Sequence, residues 1–99
     1  MSQHIHFSDE KQGVIVAQRH LDKMRDAETD AWDALSCAIT SNDLRRVEQA
    51  QDTLEIAKGH YDAACLTLAD AQHYYREWCA AVRVQLSHAA ETAAIRHLA

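Results

Sequence analysis

The sequence predicts an all-α chain folded as an antiparallel helical hairpin, and three observations carry that reading. Proline is absent and glycine occurs only at Gly13 and Gly59 in 99 residues, so almost nothing interrupts a helix. Alanine recurs every seven residues at Ala50, Ala57, Ala64 and Ala71, and three residues before each stands a larger apolar residue: Val47, Leu54, Tyr61 and Leu68. That is a coiled-coil seam with one slim side, over which a second helix can approach closely. Finally, one cluster of turn-favouring residues, Thr40-Ser41-Asn42-Asp43, divides the chain unequally.

The first helix is expected over about residues 9–40. Ser8 caps it, and Asp9 and Glu10 put negative charge in the first turn, where the helix dipole favours it. Its seam runs through Val14, Ala17, Leu21, Met24, Ala31, Leu35 and Ala38, spaced by threes and fours, with Trp32 and Ile39 widening the stripe. The turn falls at 40–43, with Ser41 or Asn42 expected to cap the second helix. That helix is expected over about 44–98, because Gly59 alone costs only about 1 kcal/mol against alanine. At 1.5 Å per residue it would be roughly 80 Å long against roughly 45 Å for the first, so the single domain is a lopsided hairpin.

Folding the chain about residues 41 to 42 places Leu35 near Val47, Ala31 near Ala50, Leu21 near Tyr61 and Val14 near Leu68, with Phe7 reaching Tyr75. Glu28 tests this register, since a carboxylate on a seam is costly to bury unpaired. Either the stripe drifts so that Ala27 replaces Glu28, or Glu28 pairs with Lys58 across the seam and fixes the alignment.

Beyond the reach of the first helix the apolar stripe continues through Tyr74, Tyr75, Trp78, Cys79, Val82, Leu86, Ala89, Ala93 and Leu98. Left bare, it would expose several hundred Å² of apolar surface, so something must cover it. The leading expectation is a second copy, giving a dimeric bundle. A break near residues 72–75 that folds the tail back as a third helix is the alternative needing no partner. A docking surface for another protein is the third, with Tyr74, Tyr75, Arg76, Trp78, Val82, Arg83 and Leu86 as the binding residues.

The chemistry of catalysis is not written in this chain. No GxSxG, GxxxxGK[ST] or HExxH pattern occurs, and no histidine pair stands at i, i+4. His4 and His6 are the one close couple, too few ligands for zinc, so no enzyme, cofactor or metal is expected. Cys37, Cys65 and Cys79 are odd in number, widely spaced and without a CxxC pair, which suits a reducing compartment. No apolar run approaches the roughly 18 residues of a membrane span, and the polar start lacks the order of a signal peptide; a soluble, cytoplasmic protein is expected.

Charge is distributed unevenly. Asp22, Asp26, Asp30 and Asp33 line one outer face of the first helix, and Glu48, Asp52, Glu55 and Asp62 one of the second. Residues 1–73 hold seven basic and thirteen acidic groups; residues 74–99 hold three and two. Direct nucleic-acid binding is disfavoured, because phosphate repels such a surface. An acidic DNA mimic is the reverse possibility, but acids four residues apart are spaced by roughly 6 Å, against a charge about every 1.7 Å of duplex axis.

These features together predict a non-enzymatic helical module that acts by protein–protein contact, as a small dimeric regulator, adaptor or inhibitor. A DNA-mimic inhibitor and a purely structural self-assembling coiled coil are the alternatives. In size and composition the chain is similar in general character to small proteins encoded by phages and mobile elements, among them inhibitors of host defence nucleases, an analogy that points to no residue.

Overall fold

A computed structural model describes residues 8–98, with side chains as far as Arg96. The expected Phe7–Tyr75 contact, the His4–His6 couple and the side chain of Leu98 lie outside the described residues. Two helices account for the fold: α1, Asp9–Ser41, and α2, Leu44–Leu98. They pack antiparallel as the heptad pattern requires. The Ser8 side chain accepts a hydrogen bond from the Lys11 backbone N–H at 3.1 Å, which fixes the start of α1, and Asp9 and Glu10 fill its first turn.

The connection is shorter and more specialised than a generic turn. Asn42 adopts the left-handed conformation (φ 61°, ψ 29°) and its N–H returns to the Ile39 carbonyl, closing α1. Asp43 then opens α2, its carboxylate accepting from the N–H groups of Arg45 at 3.1 Å and Arg46 at 3.3 Å. The expectation that Ser41 or Asn42 caps α2 is corrected: Ser41 Oγ donates back to the Ala38 carbonyl at 2.7 Å, and Asn42 belongs to the end of α1. The physical reason is that asparagine tolerates the left-handed well, which the helix terminus needs, whereas aspartate brings the charge that Arg45 and Arg46, in the first turn of α2, otherwise leave unmatched.

Burial follows the two seams residue by residue. Ala17, Leu21, Ala64 and Leu68 form one buried cluster, flanked by Val14, Met24 and Tyr61; Ala31, Leu35, Leu54 and Ala57 form the other, flanked by Val47 and Ala50. Each cluster joins the residues that folding about 41 to 42 brings level. Five of the nine buried residues are alanines, so the helices sit close but the core is thin.

The two clusters are separated where Glu28 meets α2. Glu28 stays on the seam, half-buried, while Ala27 is exposed, so the stripe does not drift. Nor do Glu28 and Lys58 form an ion pair. Trp32 stands between them: its indole N–H donates to Glu28 at 3.4 Å, and the Lys58 ammonium lies 4.9 Å from the ring centroid. This interhelical link between α1 and α2 holds a carboxylate at the seam without isolating it.

Continuity of α2 through residues 72–75 leaves no third helix among the described residues, and the molecule is 84 Å long, the length of α2 itself. Both glycines are interior helix positions where an added Cβ meets nothing within 4 Å. Gly59→Ala is therefore expected to stabilise the fold by about 0.5–1 kcal/mol, read as a higher thermal midpoint at fixed protein concentration.

Candidate functional site

What the fold leaves over is the far end of α2. In the hairpin register Ser8, where α1 begins, stands level with residue 74, so α2 overhangs by about 35 Å. On that overhang Tyr75, Cys79 and Val82 are half-buried, while Leu86 is 66% exposed and Trp78 39% exposed. Together with Ala89 and Ala93 they line one face, in direct continuation of the seam that α1 covers lower down. Tyr74, Arg76 and Arg83 are exposed and lie beside this stripe: a step of about 100° per residue puts Tyr74 and Arg76 on its two flanks.

The seam changes character where α1 ends. The alanine series at 50, 57, 64 and 71 would next fall at position 78, which is tryptophan. A slim position on the covered part of α2 thus becomes the bulkiest residue on the uncovered part. Tyr75 and Trp78 stack with centroids 6.2 Å apart and planes 15° from parallel, forming an aromatic platform at the root of the overhang. Next to it His73 and Glu77 pair at 3.2 Å on the outer surface.

The Tyr75 phenol is hydrogen-bonded to the Cys79 sulfur one turn on, and this bond, with repulsion between the ionised forms and slight desolvation, raises its pKa above the ordinary 10.0. The protonated Tyr75 phenol makes this bond, and the interaction is lost as pH rises through the raised value. Cys79→Ala should return Tyr75 toward 10.0, observed by ultraviolet titration in a Tyr61→Phe, Tyr74→Phe background.

The acid rows are placed as the helical pattern predicts, on exposed outer faces. Asp22 accepts from Gln18 at 3.0 Å and lies 3.7 Å from Arg25, whereas Asp26, Asp30, Asp33, Glu48, Asp52 and Glu55 make no hydrogen bond or ion pair among the described residues. Since the outer face of each helix is the one turned from the seam, the two rows look in opposite directions. Among the described residues there is no group of three metal-ligating side chains, no buried polar or charged residue, and no helix long and apolar enough to cross a membrane. The three cysteines are free, Cys37 exposed and Cys65 and Cys79 half-buried.

Sequence reasoning missed the Glu28–Trp32–Lys58 link, though the i, i+4 spacing of Glu28 and Trp32 was available as a signal. It also missed Val84 and Ile95, 69% and 67% exposed on the side of the overhang away from the stripe. No protein-family model, curated protein or solved structure matches this chain.

Proposed function

We propose that this chain is a non-enzymatic protein-binding module that works as a dimer, joined through the overhang of α2, in the role of a small regulator or adaptor. The observation that carries this reading is surface area. The chain exposes 7860 Å², whereas a compact protein of its 11.2 kDa mass exposes about 5,700 Å². The excess, about 2,000 Å² per chain, is more than the roughly 800 Å² that each partner contributes to a standard protein–protein interface. An apolar stripe that continues an existing seam is the natural place to use it.

Charge supports the location. The hairpin region carries thirteen acidic groups against seven basic, so two copies lying side by side would press like charge together, while residues 74–99, with three basic and two acidic groups, carry no such penalty. The opposed directions of the two acid rows support a solvated role for them over imitation of a duplex. Tyr74, 64% exposed, and Arg76 stay accessible beside a covered stripe and are the anchors on offer to a heterologous partner.

Sedimentation equilibrium tests the reading. It should report twice the 11.2 kDa chain mass at micromolar concentration; a single-chain mass throughout would remove it.

A further inference from the structure

We infer that the two copies pair by their overhangs alone, antiparallel, about a twofold axis that passes between residues 87 and 88 of each α2. This rests on the reading that the overhang self-associates and adds the register.

The stripe limits the choice. Its residues Cys79, Val82, Leu86, Ala89 and Ala93 follow a heptad pattern, so an antiparallel copy keeps stripe against stripe only in steps of one heptad. With the axis at 87–88, residue 98 of each copy stands level with residue 77 of the other, and each overhang covers the other from residue 77 outward. The helix end stops just short of residue 74, where α1 begins. The next register toward the hairpin drives the partner's last residues into the space held by α1. The next one outward leaves Trp78, Cys79 and Val82 bare. Only one step fits the length of the overhang.

That step also matches the side chains. Leu86 comes level with Ala89 of the second copy and Val82 with Ala93, large against small as in the covered seam. Trp78 and Arg96 are eighteen residues apart, five full turns, and so stand on the same flank. An antiparallel twofold pair sets like flank against like flank, which brings Arg96 of one copy to the level of Trp78 and Cys79 of the other. A guanidinium over an indole is a favourable contact, and each dimer contains it twice. The acidic hairpins are carried to opposite ends of the rod, separated by far more than the roughly 8 Å screening length at physiological salt.

Spin labels on cysteine at two exposed sites, Val84→Cys and Glu77→Cys, each with Cys37, Cys65 and Cys79 replaced by alanine, read the register through interchain distances in the full-length dimer. The proposed axis separates the Val84 labels by about 10 Å along the rod and the Glu77 labels by about 32 Å. The Glu77 distance should therefore be the longer, whereas a register one heptad away would give offsets of about 0 and 21 Å, or about 21 and 42 Å, and overturn this one. Equal distances mean parallel helices, and a longer Val84 distance means whole hairpins lying alongside one another; either overturns the register while leaving dimerisation intact. Absence of any interchain distance overturns the dimer itself. Circular dichroism of both labelled proteins checks that the helices are unchanged.

Discussion

Leu54→Asp is expected to unfold the hairpin. Leu54 is 6% exposed and packs with Ala31, Leu35 and Ala57 in the buried cluster next to the turn. Removing its side chain alone would cost about 2–5 kcal/mol. The carboxylate adds the penalty of an unpaired buried charge, since no cation belongs to that cluster and Lys58 is engaged with Trp32. With a total stability of order 5–15 kcal/mol for a chain of this size, and a core in which five of nine buried residues are alanine, the sum leaves little folded protein. Loss of the helical circular dichroism signal, or of most of the cooperative transition in urea, is the expected readout. A variant that melts like wild type would mean the seam is not the source of stability.

Leu86→Asp is expected to do the opposite: spare the hairpin and separate the copies. At 66% exposure Leu86 makes no contact with α1, so the change should alter the stability of a single chain by no more than about 0.5 kcal/mol. In the dimer the same residue lies beside the twofold axis, and symmetry places two carboxylates in adjacent apolar layers, about 4.5 Å apart along the rod. Desolvation and like-charge repulsion should raise the dissociation constant at least a hundredfold, about 2.7 kcal/mol. Light scattering should then report single chains with helical content close to wild type. The pair of substitutions separates the seam that folds the chain from the stripe that joins it to another.

How much of this was written in the sequence depends on how local each feature is. The cap at Ser8, the heptad of alanines and the turn after Ser41 are decided by residues within a few positions of one another, and they appear in the structure where the pattern puts them. The division of labour between Asn42 and Asp43 was harder to read, because both residue types suit a helix start and only the left-handed backbone at Asn42 distinguishes them. The link of Glu28, Trp32 and Lys58 depends on rotamers across the seam: the level of the residues was legible, the tryptophan interposed between the charges was not. The stripe from Tyr75 to Ala93 was visible as a surface needing cover. Its reach became measurable only against the start of α1, which defines where the overhang begins.

Small-angle X-ray scattering tests the central claim most directly, because it reads mass and length together. Two rods of 84 Å that overlap by their overhangs make a particle about 130 Å long with the mass of two chains. A particle with the mass of one chain and a radius of gyration near 23.5 Å, or one with doubled mass but a length still near 84 Å, would contradict it.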